Sequence, residues 1–184
     1  MHLYETHLPV QSTEASQQFY VDVVGLQFAY RDPGRDIVFL WIGTGRGSML
    51  GLWGPSTTRG SHPHPCHFAI ALSLLDLLRV GQRLNDLGVS TRNFMEEETT
   101  EPSVIGWMPS AQLYFRDPDG HSVEFISLLD DTPDPTFIGP LSAWENAASQ
   151  KRCIEPGMSP VVAIHASRPP SAVVLLRRTG GPGH

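Results

Sequence analysis

The sequence predicts an α+β fold of paired β-α-β-β-β modules forming a curved mixed sheet around a cavity. Three observations carry this. The order of strand-like and helix-like segments in residues 1–53 recurs in residues 66–130. Gly25 and Gly88 close the helical segment of each half, as glycine after a last turn commonly does. A histidine stands at the matching place on the first strand of each half, His7 and His67, sixty positions apart.

In the first half, residues 3–10 alternate as a strand does, with Glu5, His7 and Pro9 on one face and Tyr4, Thr6, Leu8 and Val10 on the other. Gln11-Ser12-Thr13-Glu14 offers helix caps, and Ala15, Phe19 and Val23 recur at helical spacing. Residues 26–31 form a strand and Asp32-Pro33-Gly34 a turn. Residues 37–42 and 48–53 complete the unit. Residues 54–65 are a linker of Gly, Pro, Ser, Thr and His.

The second half opens with a strand over residues 66–72, placing His67, Ala69 and Ala71 on one face. Leu74, Leu77, Leu78, Gly81 and Leu84 mark an amphipathic helix. A strand is expected over residues 89–94, then a loop over 95–110. Residues 112–116 and 122–126 form a hairpin around Asp117-Pro118-Asp119-Gly120, whose proline and glycine suit a type I turn. Gly51 aligns with Glu124 at an offset of 73. Such a half cannot cover its own sheet face. Two halves side by side, or swapped between chains, solve that problem. Residues 131–184 form a Pro/Gly-rich extension holding half of the 16 prolines. A short helix over 141–150 and short strands over 161–164 and 172–176 are expected there. The run from Arg177 to the end reads as disordered, and no chemistry is assigned to the extension.

Composition narrows function. Net charge is −6, and residues 1–132 hold 8 Arg against 16 Asp and Glu, so a nucleic-acid role lacks electrostatic support. The only lysine is Lys151, and no Walker-type Gly-Lys-Ser/Thr occurs. Two cysteines, Cys66 and Cys153, make no disulfide framework. No secretory signal and no apolar run of membrane-spanning length are visible, so a cytoplasmic location without membrane association is the expectation.

Two imidazoles and a carboxylate can hold a divalent metal and leave positions free. His7, His67 and Glu124 supply that set. Glu124 faces opposite to the core-like Val123 and Phe125, and an inward carboxylate needs a counter-charge or a metal. His62, His64 and Cys66 fit no standard structural zinc spacing. His121, after the turn glycine, is expected at the surface. Glu96, Glu97, Glu98 and Glu101 read as a solvated loop face or a lid. Trp41, Trp53, Trp107 and Met108 are candidates for an apolar pocket lining.

Several stretches resemble the vicinal oxygen chelate superfamily of glyoxalases, bleomycin-resistance proteins, fosfomycin-resistance enzymes and extradiol dioxygenases. They are Thr6-His7-Leu8-Pro9-Val10, Phe19-Tyr20 with Val24-Gly25-Leu26, His67-Phe68-Ala69-Ile70, and residues 113–125 around Asp117-Pro118-Asp119-Gly120. The resemblance covers roughly residues 1–130. It implies that His7, His67 and Glu124 are ligands of one divalent ion (Fe, Mn, Zn or Ni), and that a small substrate binds that ion through oxygen. It also implies a homodimer, in which swapped relatives draw the two histidines of a site from different chains. Tyr114, ten residues before Glu124, resembles a tyrosine of the dioxygenase and fosfomycin-resistance branches, and its hydroxyl is expected to reach the substrate. Glu5 shares a face with His7 and is the other candidate proton-handling group. Glyoxalase I and several epimerases carry a fourth ligand where this chain has Gly51. The acidic stretch Ser127-Leu128-Leu129-Asp130-Asp131 stands where the fosfomycin-resistance enzymes need an arginine, which argues against a phosphonate. The reaction is therefore left among lyase, isomerase, thiol transferase and ring-cleaving dioxygenase. The alternative is non-catalytic ligand binding of the bleomycin-resistance type.

Overall fold

The computed structural model describes residues 2–62 and 64–154. The strands expected over 161–164 and 172–176 lie outside the described residues. The first half runs β1 (Glu5–Pro9), α1 (Thr13–Phe19), β2 (Gln27–Arg31), β3 (Ile37–Ile42) and β4 (Ser48–Trp53). The second runs β5 (His67–Ala71), α2 (Leu74–Asp86), β6 (Ser103–Ile105), β7 (Ser110–Arg116) and β8 (Ser122–Leu128), followed by β9 (Ile138–Pro140) and α3 (Leu141–Ile154). The strands form two mixed, open sheets, ordered β1-β4-β3-β2 and β5-β8-β7-β6-β9. β1 runs parallel to β4 and β5 parallel to β8, so the two histidine-bearing strands are equivalent edge strands. Among the described residues no helix is long and apolar enough to cross a membrane.

Local chemistry sets the helix ends. Ser12 accepts from the Ala15 N–H at 3.2 Å and Ser73 from the Asp76 N–H at 3.1 Å, so each helix has a hydroxyl N-cap. α1 passes into a π-helical turn over Tyr20–Val24, ended by Gly25 at φ +91°. That φ is left-handed, which glycine adopts without steric cost. Hydrophobic spacing does not reveal the wider turn.

Four elements depart from the sequence expectation. Residues 89–94 do not form a strand; Arg92 alone bridges Tyr114 and Glu98. The edge place beside β7 is taken instead by β6, inside the stretch expected to be loop. β9, in the proline-rich extension, pairs with β6 on its other side. Helix α3 runs longer than the expected 141–150.

The core is one cluster fed by both halves. Leu8, Leu40, Leu50 and Leu52 of the first sheet join Leu77, Leu84, Leu113, Phe115 and Phe125 of the second half. Neither half closes its core alone, and full burial of each such side chain contributes about 1.5–3 kcal/mol.

A polar clamp pins the halves together. The Asp117 carboxylate accepts from the Tyr20 hydroxyl at 2.7 Å and from the His121 and Asp119 N–H groups. Asp119 accepts from the Gln11 N–H and the Ser16 hydroxyl. His121 is 1% exposed, which overturns its expected surface position. Its Nε2–H donates to the Pro9 carbonyl at 2.8 Å, and its Nδ1 accepts from the Cys66 N–H at 2.9 Å. Turn residues after a hairpin are usually wet, but here the turn is pressed into the other half.

Tyr20→Phe should leave one buried oxygen of Asp117 without its hydroxyl donor. The expected loss is about 1–3 kcal/mol of stability, with the fold retained. Urea unfolding of the two proteins, compared at constant m-value, checks this.

Candidate metal and substrate site

Sheet phase brings His67, Glu124 and Tyr114 to one face of the second sheet. Ala69 and Tyr114 flank Glu124 in register, and His67 pairs with Ser122 two residues away. His67 Nε2 lies 3.1 Å from Glu124 Oε2. The other ring nitrogen, Nδ1, donates to the Ser122 carbonyl at 3.2 Å. With Nδ1 carrying its proton, Nε2 of the neutral ring has a lone pair aimed at a carboxylate oxygen. Two acceptors that close require a cation between them, a proton or a metal. A carbonyl holding the far nitrogen is also the usual support of a metal-bound imidazole.

Glu124 is 7% exposed. Burial pushes its carboxyl above the ordinary range, opposed by His67 and by the nearby Tyr114 phenol. Burial, and then the Glu124 charge, raise the Tyr114 hydroxyl well above its usual value. Tyr114 therefore keeps its proton at any ordinary pH and can serve as a donor. Its ring lies 6.2 Å from that of His67 and 6.5 Å from Phe94.

His7 lies on the first sheet in a comparable setting. Its ring is 5.2 Å from Trp53 and 6.1 Å from Phe39. Its Nε2 is buried without a hydrogen-bond partner. Glu5 Oε1 sits 3.5 Å from that nitrogen, outside hydrogen-bonding geometry. Such an orphaned imidazole nitrogen suits a missing ligand or ion. Gly51 pairs with His7 across the ladder, and a Cβ there would stand 2.5 Å from His7 Cδ2. The ring thus fills the space where a fourth ligand side chain would begin.

Within one chain the two sets stay apart. Among the described residues, the one group of three or more metal-type ligands within 4.8 Å of one another is Asp117, Asp119 and His121. His7, His67 and Glu124 do not meet that condition in a single chain. The Asp117 group could hold an ion by proximity alone. Its atoms, however, are committed: both nitrogens of His121 and both oxygens of each carboxylate already hold hydrogen bonds. A ligand imidazole needs a free lone pair, so this cluster reads as the clamp between halves. His62, His64 and Cys66 form no ligand cluster among the described residues. Trp107 and Met108 are exposed, at 62% and 38%, while Trp53 packs beside His7.

Between the facing edges of β1 and β5 lies a groove of about 770 Å³, lined by Tyr4, Glu5, Met49, His67, Phe68 and Ala69 among others. It places Glu5 and His67 on one opening.

The family described as the Glyoxalase/Bleomycin resistance protein/Dioxygenase superfamily matches residues 2–125. The chain belongs to this superfamily. No curated protein matches it. Among solved structures, an integron cassette protein from the mobile metagenome of the Halifax Harbour sewage outfall is 29% identical, with a TM-score of 0.59 over 69% of this chain and 98% of that one. Lactoylglutathione lyase from Agrobacterium tumefaciens is 26% identical, with a TM-score of 0.51 over 68% and 92%. An antibiotic binding protein from Streptomyces sp. CB03234 shares the fold at 22% identity and a TM-score of 0.54, over 70% and 97%. The family spans enzymes and binding proteins, so the fold does not choose between them.

Arg92 and Arg116, with Glu96 between them, border the Tyr114 face and were not singled out by sequence reasoning. Only their strand phase relative to Tyr114 could have flagged them.

Gly51→Ala should drive the His7 ring from its seat. The expected cost is about 1–3 kcal/mol of stability. The His7 ring resonances should shift while those of His121 stay in place in proton–nitrogen spectra.

Proposed function

We propose that the protein is a divalent-metal-dependent enzyme acting on a small oxygen-bearing molecule, with each site shared between two copies. His67, Glu124 and Tyr114 of one copy would meet His7 and Glu5 of the partner subunit. The observation that carries this is the 3.1 Å approach of His67 Nε2 to Glu124 Oε2, an imidazole nitrogen and a carboxylate oxygen close enough to share one cation. Support comes from the orphaned His7 Nε2 and from the two unpaired edge strands, β1 and β5. A two-fold axis that sets β1 of one copy against β5 of the other would build two identical sites.

A bound Fe, Mn, Zn or Ni ion would polarise a substrate oxygen as a Lewis acid. The chain's own groups divide the remaining work. Tyr114 keeps its proton, donates it in a hydrogen bond to the Glu124 carboxylate in the free protein, and would offer it to a substrate oxygen. Glu5, half-exposed beside His7, can accept a proton. Phe39 and Trp53 pack an apolar wall against the His7 ring. Three protein ligands leave places for substrate, and Gly51 keeps a fourth side chain out. Lyase, isomerase, thiol-transfer and ring-cleaving dioxygenase chemistry all remain compatible with that arrangement.

A second reading, ligand sequestration without turnover, is favoured by the size of the groove between β1 and β5. The fold shared with an antibiotic binding protein is compatible with it. Oxygen uptake with catechols, thiol addition and hemithioacetal isomerisation, assayed on metal-loaded protein, separates turnover from binding.

Elemental analysis should find about one metal per chain in a dimer of two sites. His7→Ala and Glu124→Ala proteins should each lose it. A purified mixed dimer of those two variants should regain about half, because one of its two sites is then intact. A metal-free wild-type protein would overturn the metal reading, and a mixed dimer without metal would overturn the shared site.

A further inference from the structure

Beyond the metal ligands, the geometry points to a carboxylate-binding subsite formed by Arg92 and Arg116, which Glu96 now fills as an internal substitute for a substrate carboxylate. This rests on the proposed site at His67, Glu124 and Tyr114, because it assigns that site an acidic substrate.

The position follows from register. Arg116 stands two residues beyond Tyr114 on β7, on the same face, and pairs with Ser122, the residue that also pairs with His67. Arg92 is bridged to Tyr114 through two backbone hydrogen bonds, of 2.8 and 2.9 Å. Both guanidinium groups converge on one carboxylate. Arg92 Nη1 lies 3.3 Å and Arg116 Nη2 3.5 Å from Glu96 Oε2. The Glu96 charge is also near enough to help raise the Tyr114 hydroxyl. The cationic subsite is thus contiguous with the group expected to touch substrate.

The occupant is held in an unusual way. Asn93 and Glu97 close a tight turn, with the Asn93 N–H donating to the Glu97 carbonyl and the Asn93 side chain accepting from the Met95 and Glu97 N–H groups. Glu96, inside that turn, has φ +62°. Glycine or asparagine is the ordinary choice for such a position, because a side chain there is strained. A glutamate is tolerated where its carboxylate has a use, and here it spans two arginines. Its hold is weak. The Glu96 side chain is 60% exposed, and exposed ion pairs contribute little. Glu96 meets each guanidinium through one nitrogen and Arg116 spends a second on the Gly120 carbonyl, which leaves N–H donors on both arginines for another carboxylate. Phe94 and Met95, exposed at 46% and 66% on the same turn, border the subsite with apolar surface. A guanidinium fork, an apolar rim and a metal-side hydroxyl donor together fit a small molecule with a carboxylate on an apolar or aromatic body.

The test uses benzoate and its uncharged counterpart benzamide on the full-length protein, with and without added Mn²⁺ or Zn²⁺. Arginine Nε–H resonances of Arg92 and Arg116 are followed by proton–nitrogen NMR. Benzoate should move both signals saturably and benzamide should not. Glu96→Gln should tighten benzoate by about two- to fivefold, the factor that one lost exposed ion pair allows. Arg116→Gln should abolish the difference between the two probes. His67→Ala should lose metal yet keep the benzoate preference, so the subsite can stand even if the metal site fails. Equal responses to benzoate and benzamide, or no saturable response to benzoate in both wild-type and Glu96→Gln proteins, overturns the subsite.

Discussion

The imidazole of His121 links the two strands that matter most. One nitrogen donates to the carbonyl of Pro9, two residues after His7, and the other accepts from the backbone of Cys66, immediately before His67. Asp117 holds that histidine from behind through its backbone N–H and ties it to Tyr20 in the other half. The ring thus ties β1 to β5, alongside the Tyr20–Asp117 bond and the contacts of Asp119 with Gln11 and Ser16 that join the same two halves.

The same register that seats the clamp separates its partners by function. Side chains on one face of each sheet build the shared core, while His7 and His67 lie on the opposite faces, His7 with its Nε2 buried among Phe39 and Trp53. His67 is half-exposed although Glu124 beside it is buried. On the other sheet, the Nε2 of His7 is buried without a hydrogen-bond partner.

Much of this was legible in the sequence. The repeat fixed the strand order, Gly25 and Gly88 marked the helix ends, and alternation placed Glu124 opposite Val123 and Phe125. The misreadings share a cause. Residues 89–94 have strand composition but touch β7 only through the Arg92–Tyr114 bridge, while β6 pairs with the stretch Ser110–Gln112 before it. His121 looked exposed because turns usually are, and nothing local reveals that the other half covers it. Spacing leaves open whether His7, His67 and Glu124 meet within one chain or between two. Periodicity gives a side chain's face but not its distance from another module.

The outer margins of the two sheets are blunted in different ways. β9 lies along β6 and ends in Pro140, which offers no amide proton. β2, at the far margin of the first sheet, slips register between Phe28 and Tyr30. Irregular or proline-bearing borders discourage indefinite strand addition. Any further backbone pairing is thereby channelled to β1 and β5. The borders left open to a further strand are those of β1 and β5, the two that carry the candidate ligands His7 and His67.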